Sequence, residues 1–218
     1  MRVAVGNASV DLARRAGRRF ARFATNLAVR RPGLWPLARP LMRIQFDWLA
    51  SQWDSMREPG YLDAFERGLA EVKEARRGLD VGTGTGLAAF AIAAKFPDAE
   101  VLGVDLAGDM VAEARRKTPP ELAERVRFDQ ADAARLPARD RAFDLVTLVN
   151  MIPFFDELAR VVAPGGTLLI AFSWGSETPI FVPSSRLRKE LEPRGFSQFA
   201  EFAAGPGSVF LARRQPTE

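Results

Sequence analysis

The chain has 218 residues, 47% of them apolar, enough for one well-buried domain with a modest appendage and short of two full domains. It contains neither cysteine nor histidine, which excludes disulfides, zinc–thiolate sites, thiol catalysis, imidazole bases and His-ligated metals. Its net charge of +4 is uneven: residues 1–45 carry ten arginines and one acid, Asp11, whereas the rest carries 21 basic and 26 acidic residues, a body of −5 that argues against a nucleic-acid groove.

No run approaches the roughly 18 apolar residues of a membrane span. Arginines interrupt every stretch that would serve as a secretory signal, so a cytoplasmic setting is expected. Residues 10–29 read as an amphipathic helix, with Leu12, Ala16, Phe20, Phe23 and Leu27 on one half and five arginines on the other. Three prolines and a glycine between Arg31 and Pro40 predict a bent linker. Helices are then expected over Met42–Met56 and, after Pro59-Gly60, over Tyr61–Val72.

From Arg77 the period changes. Strand-like runs at Gly78–Val81, Val101–Val104, Val126–Phe128, Asp144–Val149 and Thr167–Phe172 alternate with helical runs at Leu87–Lys95, Asp109–Lys117 and Phe155–Val162. That alternation predicts an α/β fold, a doubly wound, mostly parallel Rossmann-like sheet with helices on both faces. The tail predicts a short helix at Leu187–Leu191 and a hairpin of Gly195–Ala203 and Ser208–Ala212 around Gly205-Pro206-Gly207, setting an antiparallel strand at or near a sheet edge. The organisation expected is a basic arm and linker over 1–45, a helical cap over 46–75 and the main domain over 76–218.

The chemistry concentrates at strand ends. Leu79-Asp80-Val81-Gly82-Thr83-Gly84-Thr85-Gly86 closes a strand and opens a helix, and its glycines let a ligand approach the backbone. The spacing is G-x-G-x-G, one residue short of a dinucleotide fingerprint, and no Lys-Ser or Lys-Thr follows to make a P-loop. Asp80 would answer an ammonium group and repel a pyrophosphate. Asp105, at the end of the next strand, is placed either to accept from ribose hydroxyls or to cap the following helix. Asp132, past the third strand, is placed either to accept from an exocyclic amine or to stand as a solvated loop acid.

Four ordered segments, LDVGTGTG, GVDLAGDMVAEAR, DAARLPARDRAFDLV and ARVVAPGGTLLI, resemble the class I S-adenosylmethionine-dependent methyltransferases, above all the small-molecule group that includes quinone-biosynthesis enzymes. The resemblance covers residues 77–172. It implies S-adenosylmethionine as cofactor. Asp80, Gly82 and Gly84, with Thr83 and Gly86 of the same turn, would hold the methionine moiety and Asp105 the ribose. Leu106 and Met110 would cover the adenine face, Asp132 and Ala133 its edge, and Asn150 would face the sulfonium and the acceptor. Trp53-Asp54 looks like the family's N-terminal aromatic–Asp pair, with Trp in place of Tyr.

The implied reaction is displacement of the sulfonium methyl by an acceptor nucleophile, without a metal. A base is not required; an acid, a lysine or Tyr61 remains open for that role. Trp35, Trp48, Trp53, Phe154, Phe155 and Trp174 suggest an apolar lining and a hydrophobic small-molecule acceptor. Asn150-Met151-Ile152-Pro153-Phe154 is similar to an element of enzymes that methylate planar amines or amides, which keeps a macromolecular amine open. The same residues would also serve a non-catalytic cofactor-binding protein or, less readily, an NAD-dependent oxidoreductase. The arm over 10–29 either contacts an anionic membrane or packs on the domain as a lid.

Overall fold

The computed structural model describes residues 32–216. The amphipathic segment 10–29 lies outside the described residues. Helix α1 (Trp35–Leu49) leads through 3-10 turns at Ala50–Gln52 and Asp54–Met56 to α2 (Asp63–Ala70). The alternating body follows as β1 (Arg77–Val81), α3 (Leu87–Lys95), β2 (Glu100–Asp105), α4 (Gly108–Lys117), β3 (Val126–Gln130), β4 (Phe143–Val149), α5 (Phe155–Val161) and β5 (Val162–Phe172). Helix α6 (Ser184–Leu191) and the hairpin β6 (Phe196–Ala204) and β7 (Gly207–Arg214) close the described chain.

The seven strands run in the order β3-β2-β1-β4-β5-β7-β6. Five are parallel; β7 pairs antiparallel with β5, and β6 with β7, so the tail hairpin supplies one edge. Successive residues of the central strands serve opposite faces. Leu168 and Ile170 of β5 join Leu158, Leu187 and Leu191 in one core, and Leu169 and Ala171 join Phe65, Ala89 and Ile92 in the other. Both faces are therefore covered, as a parallel sheet requires. The Ala163-Pro164-Gly165-Gly166 turn sits inside β5 as a bulge: Phe143 pairs with Val162, but Leu145 pairs with Thr167.

Helix α1 corrects the linker expectation. Pro36 lies in the first turn, where its missing N–H is an orphan in any case, and Pro40 removes a single bond from the interior. Burial of Trp35 and Met42 offsets that loss. The expected Met42–Met56 helix correspondingly stops at Leu49. Asp47 of α1 accepts from the Asp109 backbone N–H at 3.0 Å, capping the start of α4 and fixing α1 over the sheet's C-terminal edge. Charges suit the dipole of α4, with Asp109 in its first turn and Arg115, Arg116 and Lys117 in its last.

Candidate active site

Strands β2 and β3 lie on one side of β1, β4 and β5 on the other. Loops leaving the C-terminal ends of β1 and β4 therefore diverge, and the crevice between them is where open α/β sheets take ligands. Here it is a cavity of about 320 Å³, floored by Gly82–Gly84 after β1, Asp105 and Leu106 at the end of β2, and Asn150 after β4. Trp35, Met42 and Phe46 of α1, with Trp53, Arg57 and Tyr61, form its roof.

The turn after β1 is latched to its neighbour: the Gly82 and Thr83 amides both donate to the Val104 carbonyl, at 2.8 and 2.9 Å. Gly82 has φ +73°, and a Cβ there would stand 2.8 Å from Met151. Asp105 accepts from the Gly84 amide on one oxygen and the Ala107 amide on the other, each at 2.9 Å. It thus caps locally and also lines the cavity, where its remaining lone pairs can accept from hydroxyls. Burial pushes its carboxyl above the ordinary range against the pull of those amides.

Asp80 is 1% exposed and lines the same cavity. Its Oδ1 accepts from the Thr147 hydroxyl at 2.8 Å, whereas its buried Oδ2 has no partner. Burial raises its pKa to about 6. A buried carboxylate with an unpartnered oxygen, on a residue that lines a cavity, is matched to a cationic ligand group.

Thr83, Met110 and Ala133 also line the cavity. Asn150 does so with its backbone at φ +51° and its side chain clamped: Nδ2 donates to Ser173 Oγ at 2.8 Å, and Oδ1 accepts from the Ser173 amide at 2.9 Å. Gly86 is not part of the lining. At φ +93° it starts α3, and a Cβ there would stand 2.9 Å from the Phe90 and Phe128 rings, so its glycine is required by packing. Asp132 is likewise held outside. Its Oδ1 accepts from Trp35 Nε1 at 2.8 Å and its Oδ2 from Arg39 at 3.1 Å, beside a smaller hollow of about 310 Å³ that shares Leu106 and Ala131 with the main cavity.

Among the aromatic residues expected in the lining, Trp35, Trp53 and Trp174 are there. Trp48 is not: it is 72% exposed, on the side of α1 turned away from the cavity. Phe154 and Phe155 are not among the lining residues either. Phe154 packs edge-on against Trp35 at 5.0 Å between ring centres, and both rings belong to the core. With Phe154 in the core, the Asn150–Phe154 segment offers no ring there to a planar amine.

Two contributors, Arg57 and the Thr178–Ile180 segment, carry no signal in the sequence, where Tyr61 is open only as a base. Arg57 donates to Thr85 Oγ1 at 2.7 Å and pairs with Asp54 at 2.8 Å, while its buried Nε is unpartnered. Asp54 also binds Lys117. Although burial opposes it, the bonds from Lys117 and Thr85, with the Arg57 charge, hold Asp54 below the ordinary carboxylate range. Tyr61 faces the cavity, and burial pushes its phenol above the ordinary 10.0, so at neutral pH it is a hydrogen-bond donor. The Thr178–Ile180 segment closes the far wall.

The set forms a series: the buried carboxylate of Asp80, a hydroxyl acceptor at Asp105, then an apolar slot of Leu106, Met110 and Ala133. It suits a nucleoside that bears an amino-acid group. Among the described residues, no group of three or more acids is placed to hold a metal.

The fold and this crevice are of the kind that class I, Rossmann-like methyltransferases have. Residues 79–166 match the family model described as a methyltransferase domain. A demethylmenaquinone methyltransferase of Thermus thermophilus is 45% identical over 47% of this chain and 49% of its own. A trans-aconitate 2-methyltransferase of Methylobacterium nodulans is 34% identical over 72% of this chain and 61% of its own. The chain thus spans about half the length of the curated relatives it matches. A solved S-adenosylmethionine-dependent methyltransferase from Aquifex aeolicus shares the fold, with a TM-score of 0.62 at 23% identity over 75% of this chain and 97% of that one.

Proposed function

We propose that the protein is an S-adenosylmethionine-dependent methyltransferase acting on a small, hydrophobic acceptor without a metal. The observation that carries this reading is the buried, unpartnered Asp80 Oδ2 in the switch-point cavity. Asp80 would hold the ammonium group of the methionine moiety, with the Gly82–Gly84 backbone beside it. Asp105 would take the ribose hydroxyls, and Leu106, Met110 and Ala133 the adenine. Asp132, already bound to Trp35 and Arg39, would act at the adenine edge only through the adjoining hollow.

When bound, S-adenosylmethionine supplies a methyl group on a positively charged sulfur, which leaves as a neutral thioether. The chain's own task is alignment and exclusion of water. Asn150, fixed by two bonds to Ser173, would present its remaining donor toward the acceptor. Tyr61, kept protonated, would donate to an acceptor oxygen and not act as a base. Trp53 and Trp174 would shield the reacting centre.

An acceptor of apolar character is supported by the lining and by the quinone-related name of the Thermus relative. The cap reading of residues 46–75 is supported by Phe46, Trp53, Arg57 and Tyr61 in the roof, which Trp35 and Met42 extend into the segment assigned to the arm. The basic residues 10–29 would meet an anionic surface, a reading supported by charge alone. Among the described residues, no helix is long and apolar enough to cross a membrane.

The activity is tested with methyl-labelled S-adenosylmethionine and solvent-extracted lipids from a quinone-producing bacterium. Label entering the organic phase with wild type, and not with Asp80→Asn, is the expected result. Cofactor binding without transfer to any extract would replace the enzyme reading with that of a binding protein.

A further inference from the structure

Among the described residues, the exposed large apolar side chains are Leu37, Leu41, Ile44, Trp48, Met56 and Leu87. Four of these belong to α1, at 75, 60, 61 and 72% exposure in chain order. Their spacing of four, three and four residues, at about 100° per residue, confines them to an arc of about 60°. The stripe runs roughly 16 Å along the helix. On another face of the same helix, Trp35, Met42 and Phe46 roof the cavity. Helix α1 therefore has two apolar faces, one buried and one bare. A solvent-facing helix surface is ordinarily polar, and a continuous bare apolar stripe marks a contact surface.

Charge selects what the stripe contacts. Residues 1–45 carry ten arginines against one acid, and eight of the ten precede α1 in the chain. A second copy of the chain would bring the same positive charge to the contact. An anionic lipid surface complements it, and its headgroup–acyl boundary accepts leucine, isoleucine and tryptophan side chains.

We propose that α1 is a membrane-docking helix that seats Leu37, Leu41, Ile44 and Trp48 in an anionic lipid surface. The helix that roofs the cavity would then also face the bilayer, giving a lipid-dissolved molecule a short route to the site. Electrostatic attraction by the arginines brings the protein to the surface, and the stripe retains it. This inference is independent of the cofactor assignment.

The test is sedimentation of the full chain with vesicles of phosphatidylglycerol and phosphatidylcholine in equal parts, beside pure phosphatidylcholine, at low and high salt. Wild type is expected to pellet with the anionic vesicles at low salt and to be released in part by salt. The charge-neutral double variant Leu41→Ser, Ile44→Ser is expected to partition at least about tenfold more weakly. Circular dichroism shows whether it is folded, and unchanged S-adenosylhomocysteine affinity is expected because both side chains face away from the cavity. Wild type remaining in the supernatant would overturn the proposal. Equal pelleting of the variant would do the same by assigning binding to charge alone. So would a wild-type dimer that these substitutions dissociate, because the stripe would then be a subunit interface.

Discussion

Replacing Asp80 by Asn should stabilise the ligand-free protein while weakening its cofactor site. The native carboxyl holds its proton to about pH 6, whereas an unfolded one releases it near 3.8. Between those values the folded state binds more protons, so Asp80 makes stability fall as pH rises through the window and keeps it low above about 6. At 1.36 kcal/mol per tenfold change in proton affinity, the ionised carboxylate costs about 3 kcal/mol at pH 8. An amide avoids that charge, but its buried nitrogen inherits the unpartnered position of Oδ2, which returns part of the gain. The expected net stabilisation at pH 8 is about 1–3 kcal/mol, or roughly 2–12 °C in Tm for a chain of this size. At pH 4 the difference should largely close, since the folded carboxyl is then protonated and the unfolded one about two-fifths so. Thermal melts of wild type and Asp80→Asn from pH 4 to 8, without ligand, check this. A variant less stable than wild type at pH 8, or a difference independent of pH, would refute the assignment of Asp80 as a destabilising buried charge.

Gly82→Ala should cost about 1–3 kcal/mol, because φ +73° strains any side chain and the new Cβ meets Met151; denaturant unfolding measures it, and S-adenosylhomocysteine affinity should fall with it. Phe155→Ala should cost about 3–5 kcal/mol through the cavity it leaves, with affinity unchanged in the folded fraction; a selective loss of affinity would return Phe155 to the site. Arg57→Ala leaves Thr85 and Asp54 without their guanidinium partner, a loss of about 1.5–3 kcal/mol in a bond to a charged group. Calorimetric titration should show weaker ligand binding, and an unchanged affinity would remove Arg57 from the site.

The alternating body was legible from residue 77 onward because each of its strands is an apolar run ended by a glycine, an acid or a turn, and each helix keeps its own period. The site's floor was legible for the same reason: Asp80, the glycine turn, Asp105 and Asn150 all stand at C-terminal strand ends, where the topology must gather them. The roof was not. Pro36 and Pro40 read as breakers, yet one is harmless in a first turn and the other costs a single bond that the burial of Trp35 and Met42 offsets. Arg57 reaches the cavity only because α1 and the turns after it are docked through Asp47 and Asp54, contacts of 62 and 63 residues' separation with no local trace. Phe154 and Phe155 illustrate the converse. An aromatic pair after a strand serves lining or core equally well, and the Trp35 side chain, more than a hundred residues upstream, decides for the core in the case of Phe154.

The enzymatic reading of this protein depends on the switch-point cavity taking S-adenosylmethionine through Asp105 and its neighbours. The most direct test is calorimetric titration of S-adenosylhomocysteine into wild type and Asp105→Ala, with NAD as the control ligand. Saturable binding by wild type, weakened at least about tenfold in the variant by loss of charge-assisted hydrogen bonds, and no binding of NAD is the predicted result. A folded wild type that binds NAD, or that fails to bind S-adenosylhomocysteine, would contradict it.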